Sequence, residues 1–128
     1  LNTELDRVFS LYIRTRDSVN GMCKCCTCGK VLLIGAINAG HWIQRSKKRT
    51  RWHEKNAAPQ CFMPCNHKLM GNGEHAKFTV YLMNRYGDSV IRELVDLSLV
   101  PYKADRRLLQ EKIDYYSEKL KELTKNPS

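Results

Sequence analysis

The sequence predicts an α+β fold in which a small zinc-closed core carries helices on both sides, and three observations lead there. Its cysteines fall in two clusters, Cys23-Lys-Cys25-Cys26-Thr-Cys28-Gly29 and Cys61-Phe-Met-Pro-Cys65-Asn66. Apolar residues recur at helical spacing before the first cluster and after the second. Between them the chain is short-patterned, polar and basic, which suits strands and a loop. At 128 residues it is one domain, and a chain of this size buries too little apolar surface to order a long polar loop unaided. A structural metal offsets that deficit.

Leu1, Leu5, Val8, Phe9, Tyr12 and Ile13 share one helix face, predicting a helix over 2–17 that Asn20-Gly21 breaks. After the first cysteines, Val31-Leu-Leu-Ile34 reads as a short buried strand, and Gly35 to Gly40 as a hairpin connection. His41 to Pro59 reads as a loop bounded by short strands. After Cys65 the pattern predicts a short helix ended by Gly71-Asn-Gly73, then a second from Glu74 to Tyr86 with Gly87 as its C-terminal cap. A third, Ser89 to Leu99, starts at a capping Asp88 and stops before Pro101. Over Lys103 to Lys125, Leu109, Ile113, Tyr116, Leu120 and Leu123 form a heptad seam, suited equally to packing on the chain's own helices and to a homodimer.

The cysteine spacing points to metal. In Cys25-x-x-Cys28-Gly29 two thiolates can converge on one zinc, and the glycine permits the tight turn that aims backbone amides at sulfur. Cys23 and Cys26 have the same separation but no such glycine. Cys61 and Cys65 supply the second half, so a structural Zn2+ would join two knuckles about thirty residues apart. Leu1 to Asp17 is amphipathic and charged, unlike a signal peptide, and no apolar run is long enough to span a membrane. The expected setting is therefore reducing and cytoplasmic.

Lysine and arginine number 22 against 13 acidic residues, a formal charge of +9, which predicts a polyanionic partner. Net charge alone does not separate nucleic acid from acidic lipid. Arg45, Lys47, Lys48, Arg49 and Arg51 put five cations in seven positions between Trp42 and Trp52. They are candidate phosphate contacts, joined by Lys68, while Trp42 or Trp52 can either stack on an exposed base or pack on the small core.

His41 and Asn56 lie inside the loop the zinc would close, and Asn66 follows the last cysteine directly. This order resembles the HNH, or ββα-metal, nucleases, in which a two-stranded hairpin and a helix grip a divalent cation. The wider string Leu5-Asp-Arg-Val-Phe-Ser-Leu-Tyr-Ile-Arg-Thr-Arg16, Ala39-Gly-His-Trp-Ile-Gln-Arg45, Thr50-Arg-Trp-His-Glu-Lys-Asn56 and Pro59-Gln-Cys61 is similar to the NinG (Rap) recombination nucleases of lambdoid bacteriophages. The resemblance covers roughly residues 4 to 87 and implies a zinc-stabilised ββα-metal (HNH-like) nuclease domain, drawn over 1–100 with its N-terminal helix; the apolar seam makes 101–128 a C-terminal amphipathic helix. The resemblance also implies a metal-dependent DNA endonuclease acting on branched recombination intermediates, Holliday junctions and D-loops, in the host bacterial cytoplasm. His41 would be the general base, Asn56 the asparagine that ties the hairpin together, and Asn66, at the start of a helix, a ligand of a catalytic Mg2+ or Mn2+. Many ββα-metal enzymes place an aspartate just before the histidine, where this chain has Gly40. Glu54 or His53 is then the nearest group able to help hold the cation. Two rival readings are a non-catalytic zinc-containing module for branched or single-stranded DNA, and a secreted disulfide protein that binds acidic polymers.

Overall fold

The computed structural model describes residues 1–125. Helix α1 (Asn2–Arg16) buries Leu5, Val8, Phe9, Tyr12 and Ile13 on one face, as their spacing requires. Each such side chain stabilises the fold by about 1.5–3 kcal/mol when fully removed from water. Strands β1 (Met22–Lys24) and β2 (Val31–Leu33) form an antiparallel ribbon with Cys23 opposite Leu32. The ribbon packs only one face inward, so Cys23 and Leu32 join the cysteine core while Val31 and Leu33 point to solvent. The expected buried strand is thus half exposed.

A second antiparallel pair lies where a hairpin connection was expected. Strand β3 (Asn38–His41) pairs with β4 (Ala57–Gln60), setting His41 opposite Ala57 and Gly40 opposite Ala58. Nothing in Asn-Ala-Gly-His favours a strand by propensity. The pairing is imposed by β4, all four residues of which are buried. Ala57 faces a core made by α1 and the C-terminal helix α5 (Arg106–Lys125), while Ala58 faces one made by α3 (His75–Tyr86) and α4 (Ser89–Ser98). Small side chains at 57 and 58 let helices approach on both sides. Between the strands run the short helix α2 (Lys48–Arg51) and a single 3-10 turn, Glu54–Asn56.

No helix follows Cys65. A helical turn instead contains it, Phe62–Asn66, and 68–73 is a series of turns, so Asn66 ends a helical turn and does not begin a helix. Gly71 explains the difference: a Cβ there would lie 2.3 Å from the Pro64 oxygen and 2.4 Å from that of Cys65. The loop is pressed against the second knuckle, a tertiary contact that a helix would break. Helix α3 ends at Gly87, φ 90°, as expected. Asp88 precedes α4 but makes no side-chain cap.

Leu109, Ile113 and Tyr116 of α5 pack on Leu5, Phe9 and their neighbours in α1. Three of the five seam residues are thereby buried within the chain, with Leu123 partly buried against the same core. At the other end of α1, Asp17 pairs with Arg16 and with Arg85 of α3, tying two helices together through a shielded carboxylate. Among the described residues no helix is long and apolar enough to cross a membrane.

Candidate functional site

The two knuckles meet. The sulfurs of Cys25, Cys28, Cys61 and Cys65 all lie within 4.8 Å of one another, and those of Cys28 and Cys61 are 3.7 Å apart. Four sulfurs around one zinc at about 2.3 Å would be spaced by roughly 3.8 Å, whereas a disulfide needs about 2.05 Å. All six cysteines are free, and the cluster of four fits a structural zinc. Gly29, φ 82°, makes the predicted turn, its N–H donating to the Cys25 oxygen. Burial opposes ionisation of Cys25, but the Thr27 hydroxyl and nearby backbone amides overcome it and bring that thiol down to about 6. Burial and the neighbouring sulfurs push Cys65 up to about 12. Such a cluster holds one thiolate readily and further ones only with a cation among them. Cys23 and Cys26 stand apart: the Cys23 thiol donates to the Arg14 oxygen, and Cys26 packs on the α3–α4 core.

Beside this anchor, α1, β3 and the 66–73 loop enclose an open cavity of about 1350 Å³ lined by His41, Asn66, Lys68 and His75. Small-molecule pockets run to about 300–1,000 Å³. The larger, open shape suits a segment of polymer. Arg7, Arg14, Arg45 and Arg51 line it too, with Asp6 as its one carboxylate among the described residues.

His41 closes β3, and its Nε2 lies 2.8 Å from the main-chain oxygen of Arg51. A carbonyl only accepts, so Nε2 carries the proton and Nδ1 keeps its lone pair, with no hydrogen-bond partner among the described residues. Burial chiefly, aided by the Arg45 and Arg51 charges and opposed by the Arg51 carbonyl and Asp6, lowers its pKa to about 4. The ring is neutral at pH 7.

Asn56 is fully buried and makes three bonds. Its Oδ1 accepts from the Ile43 N–H, and its Nδ2 donates to the oxygens of Ile43 and Thr50. These pin the far side of the β3–β4 loop, from which the Arg51 oxygen reaches His41.

Asp6 fixes the same loop from α1. It accepts from Arg45, Arg51 and the Trp52 indole N–H. The basic run is consequently divided: Arg45 and Arg51 face the His41 cavity, while Lys48 and Arg49 face a second, smaller one beside α5. Arg49 donates to the Pro101 oxygen, and Lys47 is exposed outside both. Trp52 is 2 % exposed, with Tyr116 donating to its main-chain oxygen, so it belongs to the core and offers no face to a base.

Glu54 and His53 do not reach the His41 cavity. Both line the smaller cavity with Lys112 and Tyr115, at the start of the 3-10 turn. Burial and then the Glu54 carboxylate push the Tyr12 phenol up to about 12, which locates that carboxylate behind the α1 face. His53 accepts from the Lys55 N–H. The imidazole that does reach the cavity is His75, at the first turn of α3, stacked on Trp42 with ring centroids 5.1 Å apart and planes 12° from parallel. From sequence His75 reads as a helix-surface histidine near the site and, ahead of His67, a candidate contact to metal or phosphate; Asp6 gave no signal, its partners lying in a distant loop.

Gly40 has a structural reason. The buried side chain of Gln60, which pairs with Asn38 on β4 and so lies diagonal to Gly40, takes the space a side chain at 40 would need: a Cβ would lie 2.2 Å from its Oε1. Gln60 donates to Thr27 and to the Gly73 oxygen, bridging the first knuckle and the end of the 66–73 loop.

Comparison with family models decides the lineage: the one described as bacteriophage lambda NinG protein matches residues 1–126. The chain belongs to the NinG family. No curated protein and no solved structure matches it. NinG membership brings a phage recombination context to the cavity and the four-cysteine cluster.

Proposed function

We propose that this NinG family member is a structure-specific DNA endonuclease of the HNH type, hydrolysing phosphodiester bonds in branched recombination intermediates such as Holliday junctions and D-loops. The observation that carries this reading is the fixed tautomer of His41, an imidazole with a free Nδ1 at the edge of an arginine-lined cavity. A water held at Nδ1 loses its proton there as it attacks phosphorus. The low pKa in the free protein makes His41 a fully available but weak base, and a phosphate anion beside the ring raises its proton affinity. Arg45 and Arg51 lower the cost of bringing that phosphate in.

The residues present fit a catalytic cation held by few protein atoms. Asn66 offers a carbonyl oxygen and His75 an imidazole in the same cavity, and magnesium commonly takes one or two protein ligands together with water and substrate phosphate. Bound there, Mg2+ or Mn2+ would supply charge stabilisation for the phosphorane-like transition state and the leaving oxygen. The hairpin β3–β4 followed by α3 supports the ββα-metal comparison, with His75 standing on the helix in place of the expected Asn66. A host-cytoplasmic setting and a junction-bound dimer belong to the same reading, the dimer using a surface other than the α5 seam.

Nicking of a synthetic four-way junction with magnesium or manganese tests this. Wild type should yield product, and His41→Ala should abolish it while leaving junction affinity largely intact. The second reading, a zinc-containing DNA-binding module without catalysis, draws on the cavity's single carboxylate, Asp6, being already bound to two arginines. Binding without product under any divalent ion would decide for it.

A further inference from the structure

Two apolar pairs stand outside all three cores. Leu69 and Met70 are 88 % and 62 % exposed at the tip of the 66–73 loop, and Phe62 and Met63 are 52 % and 45 % exposed on the turn beside it. The loop is continuous with the candidate site, because Asn66 and Lys68 before the tip and Asn72 and Gly73 after it all line the His41 cavity. Its base is rigid. The Asn72 N–H donates to the His67 oxygen and the Gly73 N–H to that of Cys65, both at 2.7 Å, and Gly71 lies against the backbone of Pro64 and Cys65. Phe62 meets His67 edge-on at 5.3 Å, giving both pairs one support. Exposed leucine and methionine on a stiff, zinc-anchored stalk mark a contact surface.

We propose that the 66–73 tip is a wedge that DNA-bound protein inserts, through Leu69 and Met70, against the unstacked bases at a branch point. This deepens, and rests on, the reading of the chain as a DNA-binding nuclease. The occupant is argued from continuity and charge: Lys68 sits on the loop itself, Lys30 reaches the Met63 oxygen, and the adjoining cavity is rich in arginine. Leucine, methionine and phenylalanine are the side chains that proteins drive between base steps, and a branch, where stacking is already interrupted, lowers the cost of entry. Contact at the branch would set the neighbouring phosphodiester over His41 and so define the substrate class as DNA with broken stacking.

Binding measured in EDTA to a four-way junction and to linear duplex, each with 2-aminopurine at the same position, tests the wedge. Wild type should raise the fluorescence on the junction only. Leu69→Ser/Met70→Ser, which changes exposed atoms and should keep its zinc, should lose that rise and bind the junction about tenfold more weakly, with duplex affinity changed less than about twofold. Leu69→Phe should keep both signals. A double variant that matches wild type, or that loses junction and duplex equally, overturns the wedge while leaving DNA binding in place. A double variant whose only change is a smaller oligomer overturns it in favour of a contact between copies. Wild type that binds neither DNA fails at the earlier step and overturns the nuclease reading with it.

Discussion

The main-chain oxygen of Arg51 stands 2.8 Å from Nε2 of His41, so a helix end more than a strand away dictates which nitrogen of the imidazole is protonated. Nitrogen-15 shifts should identify the Nε2–H tautomer at neutral pH, with a titration midpoint well below 6.5 and near 4. The unfolded chain takes up this proton near pH 6.5 while the folded chain refuses it until about pH 4. The unfolded state therefore binds more protons across that window, and His41 lowers stability as pH falls through it, with no further loss below. A midpoint near 6.5 would show a ring exposed to water, and one above it a ring held as a cation; either would remove the argument for a fixed neutral base.

Asn56 should matter for stability as much as for activity. Asn56→Ala leaves the Ile43 N–H and the oxygens of Ile43 and Thr50 short of partners in the interior. A cost of about 2–4 kcal/mol is expected, read from the midpoint of urea unfolding. Because the same loop presents the Arg51 oxygen, the His41 titration should also move toward its ordinary value. A variant that unfolds like wild type would mean that the loop is held by Asp6 alone.

Zinc content separates the four clustered cysteines from the other two. Cys25→Ser, Cys28→Ser, Cys61→Ser and Cys65→Ser should each release metal or purify unfolded, whereas Cys23→Ser and Cys26→Ser should keep one zinc per chain by elemental analysis. Chelation should loosen β1–β2 and the 66–73 loop first, seen as faster amide exchange there than in α1 and α5, whose core lies elsewhere. Stoichiometric zinc in a Cys61→Ser variant would refute the tetrathiolate.

Much of this was legible along the chain because its signals are local. The spacing in α1, the glycines at 29 and 87 and the clustering of cysteines each follow from dihedral or periodic constraints confined to a few residues. What escaped sequence reading depends on contacts between distant segments. The turns at 68–73 exist because Gly71 meets the Cys65 backbone, and β3 exists because β4 is packed between two cores. Glu54 and His53 line the smaller cavity beside α5, at the start of a 3-10 turn that is invisible in composition. Asp6 looks like any polar position on an amphipathic helix until the loop carrying Arg45, Arg51 and Trp52 folds onto it.

Gly40 and Gln60 form a pair that should be testable as one unit. With Gln60 Oε1 2.2 Å from any Cβ at 40, Gly40→Ala forces either the strand pairing or the buried amide to shift. Overpacking of this kind costs about 1–3 kcal/mol. Gly40→Asp, the residue many ββα-metal enzymes carry there, should be worse, since it adds a charge to a buried site. Gln60→Ala removes the obstacle but also the bonds to Thr27 and Gly73, so alone it should destabilise as well. The double variant Gly40→Ala/Gln60→Ala should then be more stable than the sum of the two single losses predicts, by a coupling of about 1 kcal/mol or more in urea unfolding. Strict additivity would mean that the glycine is set by strand geometry alone, and the missing aspartate would need another cause.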